Sequence, residues 1–367
     1  MFVFSADSHI VEPPDLFVNG LPSGMRPRAI QMAVRDGYIM TVSGNRVIHR
    51  LRANKPLAAK TAGEDRVAST VRLGSRDLAG RLEDMAKDGV DAEVVFPSLA
   101  LWTYVLDDPE LELATAQVYN DWNDGFFSGH LDHFVRCGVL PVRRFEDTLA
   151  EMKRIVAKGF TAAMLPSAVP KGLPAYNHEA WDPVFALAGE LGLVPVLHTG
   201  TGLEDVVVER GPGAAVINYT HQMIDAQNSI MALVAGGVLD RNPKAQVAVI
   251  ESGASWLAGL AERMDEVYRA HAVYVFPKLS REPSEIIRRQ VKCSFQSDRA
   301  CILSRSVTGS EAIMWGADYP HAEGTFPRSR EVIRGLFEGV EISDKEKADI
   351  LGGNAARLFR FGATTAR

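Results

Sequence analysis

The segment FEDTLAEMKRIVAKGFTAAML, residues Phe145 to Leu165, carries the pattern from which the architecture follows. Its first part, Phe145–Ala157, is amphipathic at helical spacing, and its last part, Thr161–Leu165, is a short apolar run without alternation. A helix followed by such a run is half of a repeating unit whose strands lie in parallel, buried on both faces. Working outward, the unit recurs. Strand candidates are Phe2–Asp7, Ala92–Pro97, Phe134–Leu140, Thr161–Leu165, Val194–His198, Gln246–Glu251, Val291–Gln296 and Ala312–Asp318. Helical stretches alternate with them at Leu78–Lys87, Glu110–Phe127, Phe145–Ala157, Ala180–Leu191, Ile224–Ala235 and Trp256–His271. Eight strands alternating with helices is the count of an α/β protein of the (β/α)8 TIM-barrel type. A doubly wound open sheet is the competing arrangement, but no Gly-rich phosphate fingerprint follows any of these strands.

The alternation breaks once, after strand one, where a long insert from Ile10 to Ser75 is rich in Arg, Pro and Gly. Within it, MAVRDGYIMTVSGNRVIHR alternates around Asp36-Gly37 and Ser43-Gly44-Asn45, the pattern of a small β-meander. The insert leaves from the C-terminal end of a strand, the face where barrels place their chemistry, so it is expected to form a lid or pocket wall. At the other end, SDKEKADILGGNAARLFRF predicts a Ser/Asp-capped helix closing the barrel. Residues 1–367 are expected to form one domain with 10–75 as an inserted wall and extra helices at the C-terminus.

Composition narrows the function classes. The chain has 367 residues, with 40 Lys plus Arg against 46 Asp plus Glu, a net charge of −6, and 46% hydrophobic residues. That is ordinary globular-enzyme composition, and without a Lys/Arg block it argues against nucleic acid. Cys137, Cys293 and Cys301 form no C-x-x-C pair, which fits a reducing compartment. No signal-peptide pattern opens the chain, and the longest apolar run, Ile230–Leu239, is far short of the ~20 residues of a membrane helix. The expectation is a cytoplasmic protein with no membrane partner and a small-molecule substrate.

Histidines and carboxylates fall at strand ends. Strand one ends Ala6-Asp7-Ser8-His9, strand five Leu197-His198-Thr199-Gly200, strand six Ile250-Glu251-Ser252-Gly253 and strand eight Gly316-Ala317-Asp318-Tyr319-Pro320-His321. Two residues apart on a strand, Asp7 and His9 point to one face and can both turn into the barrel mouth. Oxygen and imidazole ligands converging without Cys suit Zn²⁺, Mn²⁺ or Fe²⁺ and leave room for water. Taken singly, a strand-end Asp can equally cap a helix, and a lone His is more often a satisfied polar residue.

The runs ADSHIVEPPDLF, RLEDMAKDGVDAEVVFPS, VYNDWND, LGLVPVLHTG, ESGASW, GADYPH and ILGGNAARLF resemble the metal-dependent amidohydrolase superfamily, specifically its amidohydrolase-2 (aminocarboxymuconate-semialdehyde decarboxylase-like) branch. The resemblance spans Asp7 to Phe359. It implies a distorted (β/α)8 barrel with one divalent ion, Zn²⁺ first and Mn²⁺ or Fe²⁺ as alternatives, held by Asp7, His9, His198 and Asp318. It also implies a homodimer or larger closed oligomer. Two departures stand out. Strand four ends Ala163-Met164-Leu165-Pro166 with no Lys before Lys171, so a second ion bridged by carboxylated Lys is not expected. Decarboxylases of this branch usually carry an H-x-G turn after strand six, where this chain has Glu251-Ser252-Gly253.

Four residues are candidates for chemistry: Asp318, as ligand and proton acceptor; Glu251, as base, partner of a ligand His, or turn carboxylate; and His221 and His321, to orient water or a substrate carbonyl. His178 sits at a helix start as a structural residue, His130 and His133 lie on the opposite face, and His49 and His271 have no supporting context. Arg50 and Arg52 are candidate carboxylate clamps or a solvated lid face. Trp102, Tyr104 and Trp256 are candidate pocket walls or ordinary packing. The reading that follows is a metal-dependent hydrolase acting on an amide, ester, lactone or C–C bond next to a carbonyl; the alternative is a metal-dependent non-oxidative decarboxylase of an aromatic or enoic carboxylic acid. Glu251 in place of His leans toward the hydrolase.

Overall fold

The computed structural model describes residues 1–52, 72–203 and 206–362. Its strands are β1 (Phe4–Ile10), β2 (Ile30–Arg35), β3 (Tyr38–Ser43), β4 (Arg46–Arg52), β5 (Ala92–Pro97), β6 (Phe134–Val139), β7 (Ala162–Pro166), β8 (Val194–His198), β9 (Val247–Ile250), β10 (Val291–Phe295) and β11 (Ile313–Trp315). Eight of them form one parallel sheet in the order β1-β5-β6-β7-β8-β9-β10-β11. The sheet curls until its edges meet. Just beyond β11, the Asp318 amide donates to the Asp7 carbonyl at 2.8 Å and the His9 amide to the Tyr319 carbonyl at 2.5 Å. The (β/α)8 barrel is therefore closed through Asp7, His9 and Asp318, three of the candidate ligands.

The barrel strands are buried almost throughout, which explains their continuous apolar character. The Phe145–Ala157 helix has the predicted bounds. The helix expected at Ile224–Ala235 begins earlier, at Ala214. Strand one runs on to Ile10, so His9 lies within β1 rather than after it. The three cysteines are buried and free. No helix among the described residues is long and apolar enough to cross a membrane.

The predicted meander is the antiparallel sheet β2-β3-β4. Asp36 and Gly37 link β2 to β3 with φ of 51° and 75°, the paired left-handed backbone that a two-residue hairpin turn requires. This sheet leans on the turn after β5, at the C-terminal end of the barrel. His49 stacks on Trp102 (ring centroids 5.2 Å apart, planes at 18°), and Arg46 Nη1 donates to the Val105 carbonyl at 2.9 Å. Of the two proposed clamps, Arg50 is exposed and lies 5.4 Å from the Tyr38 ring, a lid-face position, while the Arg52 side chain and residues 53–71 of the insert lie outside the described residues. Tyr104 is fully buried, its hydroxyl donating to the Met164 carbonyl at 2.7 Å, so it packs and lines nothing.

At the C-terminus the single predicted helix is three consecutive segments. Asp344–Ala348 opens with a capping box between Ser343 and Glu346, Asp349–Gly353 widens into a π turn, and Asn354–Leu358 resumes the α-helix. The Asn354 amide donates to the Ser310 and Ile313 carbonyls at 2.7 and 2.9 Å, which ties the segment to the start of β11.

Candidate metal centre

The ends of β1, β8, β9 and β11 bring Asp7, His9, His198, Glu251 and Asp318 to one place. His9 Nε2 is the hub. It lies 3.1 Å from His198 Nε2, 3.7 Å from Asp7 Oδ1, 3.5 Å from Glu251 Oε2 and 3.8 Å from Asp318 Oδ1. His198 Nε2 is 3.2 Å from Glu251 Oε2 and 4.0 Å from Asp7 Oδ1. His321 joins from the outer side, its Nδ1 2.7 Å from Asp318 Oδ1 and its ring 4.2 Å from that of His9. All four residues predicted as ligands come together, and so do Glu251 and His321.

His221 does not. Because its helix begins at Ala214, His221 lies inside the helix rather than at its start, within electrostatic reach of Asp225 one turn on. It belongs to neither ligand cluster among the described residues. His178 is structural as expected, its Nδ1 accepting from the Ala180 amide at 3.1 Å. Trp256 donates its indole N–H to the Ser252 and Gly253 carbonyls, bracing the turn that carries Glu251.

The backbone works to aim these groups. Glu251 and Asp318 have φ of 61° and 53°, left-handed conformations that a non-glycine residue adopts at a cost of about 1–3 kcal/mol. Each is held by neighbours: the Glu251 amide donates to Ser294 Oγ at 3.0 Å, and the Asp318 amide to the Asp7 carbonyl. Asp298 fixes the rest of the β9 turn by accepting from the Ala254 and Ser255 amides at 2.9 and 2.7 Å. Behind β1, the buried Arg81 donates to the His9 carbonyl at 2.6 Å and to Glu93 at 2.7 Å, while Ser8 donates to the other Glu93 oxygen. Glu12 accepts from the Ser98, Leu99 and Ala100 amides, fixing the turn after β5. Nothing in the sequence marks these supports, since Arg81, Glu93, Glu12 and Asp298 are charged residues of ordinary surface type.

The donor set fits a divalent cation. His9 Nδ1 sits 2.9 Å from the Pro97 carbonyl and His198 Nδ1 3.0 Å from the Thr199 carbonyl. A carbonyl only accepts, so each Nδ1 carries the proton and each Nε2 presents a lone pair. Two lone pairs thus face each other across 3.1 Å. Both Asp7 carboxylate oxygens and Asp318 Oδ2 are buried without a hydrogen-bond partner. Orphaned acceptors at this density are costly unless a cation is shared among them. Burial pushes His9 well below the ordinary imidazole range and His198 down to about 4, with Glu251 opposing at His198, so both stay in the neutral, ligating form. Burial, then the neighbouring carboxylates, pushes Asp7 well above the carboxylate range; burial and Glu251 bring Asp318 to about 7. A bound cation reverses that logic by favouring the charged carboxylates. His321 goes the other way: burial opposes its charge, but contact with Asp318 outweighs it and lifts the imidazole to about 10.

A family model described as Amidohydrolase matches residues 47–361. The chain belongs to the amidohydrolase-2 family. A 2-amino-3-carboxymuconate-6-semialdehyde decarboxylase from Dictyostelium discoideum is 24% identical over 283 residues, which is 76% of this chain and 75% of that one. Among solved structures, an amidohydrolase from Mycobacterium avium subsp. paratuberculosis superposes with a TM-score of 0.80 at 20% identity, covering 98% of this chain and 99% of its own. A 5-carboxyvanillate decarboxylase from Novosphingobium aromaticivorans, solved with manganese and 4-hydroxy-3-methoxy-5-nitrobenzoic acid, gives 0.69 at 16% identity, covering 98% and 96%. The family and the ligand cluster together imply an enzyme that uses a divalent metal.

Proposed function

We propose that this amidohydrolase is a metal-dependent non-oxidative decarboxylase of an aromatic or enoic carboxylic acid. The observation that carries the proposal is the similarity over three quarters of the chain to a decarboxylase of an enoic semialdehyde acid, coupled to a site that places the His321 imidazole 2.7 Å from Asp318, beside the ligand cluster. Zn²⁺ was the first expectation for the ion; the manganese in the carboxyvanillate decarboxylase favours Mn²⁺ instead. Asp7, His9, His198 and Asp318 would hold it. Once bound, a divalent cation supplies Lewis-acid polarisation and a fixed anchor for a carboxylate or its neighbouring oxygen.

The chain's own groups handle the proton. Loss of CO₂ breaks the bond between the carboxyl carbon and the substrate, and the substrate carbon keeps the electron pair. That carbon needs one proton. The Asp318–His321 pair holds a proton at the mouth, with His321 partly open to solvent and able to be recharged from it. The sheet β2-β3-β4 stands over the same face and walls the substrate side. The chain works as one domain and as a homodimer in this proposal.

Glu251 favours a second reading, hydrolysis of an amide, ester, lactone or C–C bond next to a carbonyl, because decarboxylases of this branch usually carry His there. The two are separated by product. Mn²⁺-loaded protein incubated with a panel of hydroxybenzoic and enoic acids is expected to release CO₂ stoichiometrically with loss of substrate carboxylate. Acid formation from esters, amides or lactones with no CO₂ from any carboxylic acid would favour the hydrolase.

A further inference from the structure

We propose that Glu251 binds the divalent ion directly, so that β9 contributes a ligand beyond the four that the family resemblance supplies; the inference rests on the metal-dependent reading above. The first argument is distance. Bonds of about 2.0–2.2 Å to a shared ion put neighbouring ligand atoms roughly 3.3–3.6 Å apart in a tetrahedral arrangement. Among Asp7 Oδ1, His9 Nε2, His198 Nε2 and Glu251 Oε2, five separations are 3.1, 3.2, 3.5, 3.7 and 4.0 Å. Glu251 is closer to both imidazoles than Asp7 is. Asp318 lies farther off, its Oδ1 3.8 Å from His9 and engaged by His321, which leaves its unpartnered Oδ2 to face the ion.

The second argument is chemical. Glu251 Oε2 faces His9 Nε2 and His198 Nε2, and both of those nitrogens present lone pairs because their Nδ1 protons are given to backbone carbonyls. Three acceptors meet with no donor among them, an arrangement that a shared cation relieves and a hydrogen bond does not. An outer-shell partner of a ligand histidine would instead sit at Nδ1, and both of those positions are taken. The third argument is conformational: Glu251 keeps a left-handed backbone, pinned by Ser294, and in that conformation its carboxylate stands against both imidazoles.

Two consequences follow. Three carboxylates around one ion make the site oxygen-rich and suit Mn²⁺ better than a tetrahedral nitrogen-rich Zn²⁺ site. A coordinated Glu251 is also removed from proton transfer, which leaves that role to His321, held in place by Asp318.

The test is calorimetric titration of metal-free protein with Mn²⁺ alone, comparing the wild type with Glu251→Gln. Losing an outer-shell partner costs about 10- to 100-fold in metal affinity. The inference requires more than 100-fold, with the metal-free variant melting at or above the wild type because one repelling carboxylate is gone. A loss below 100-fold overturns it. Should Glu251→Gln fail to fold, Glu251→Asp, which keeps the charge but withdraws it, is held to the same threshold. No substrate enters the titration. Strong loss of Mn²⁺ in a protein that releases no CO₂ would leave this inference standing and overturn only the decarboxylase.

Discussion

Replacing His198 by alanine is expected to strip the divalent ion while leaving the barrel folded. His198 ends β8, and its Nε2 stands 3.1 Å from that of His9, so the change removes one of two neutral nitrogen donors from a site where none is spare. The loss should exceed the roughly 100-fold that marks the upper end for outer-shell partners. The folded state should survive. The substitution frees the Thr199 carbonyl, a cost of about 1–3 kcal/mol, against a typical domain stability of about 5–15 kcal/mol. His9→Ala should behave alike and free the Pro97 carbonyl. Metal content is read by elemental analysis after dialysis, and folding by circular dichroism. Undiminished metal in both variants would remove the site.

Asp318→Asn is expected to lower kcat by about 10²- to 10⁴-fold at saturating Mn²⁺, the range for loss of a general acid or base. Asparagine keeps the shape and can still accept from His321, but it carries no charge. Without that charge, the strongest influence raising the His321 imidazole disappears, and the imidazole gives up its proton at lower pH. Saturating metal separates this from weakened binding. The alkaline limb of the kcat profile should also move to lower pH, whereas a structural role for Asp318 would leave it in place. Full kcat at saturating Mn²⁺ would assign the proton elsewhere.

Much of the fold was legible because burial on both faces leaves an unambiguous mark. The β7 run AAMLP and its preceding helix could be read with almost no error, since nothing in that unit answers to function. The helix beginning at Ala214 was half missed: Val216, Ile217 and Tyr219 are exposed, so its first turns carry apolar residues where a periodic reading demands polar ones. That error misplaced His221. The D-x-H spacing of Asp7 and His9 was readable because a strand's two-residue period puts both on one face. Glu251 was named, but its inward aim was not legible. That aim depends on a positive φ at a non-glycine residue, and local propensity argues against such a conformation. Arg81 and Glu93 escaped for a related reason: a buried ion pair looks in sequence like two surface charges.

One divalent ion is expected where the ends of β1, β8, β9 and β11 converge. Anomalous scattering from crystals grown with Mn²⁺ tests it most directly. A single peak per chain is expected, between the Nε2 atoms of His9 and His198 and against the carboxylates of Asp7, Glu251 and Asp318. A mouth with no peak, a peak bound elsewhere, or two peaks bridged within the cluster would contradict it.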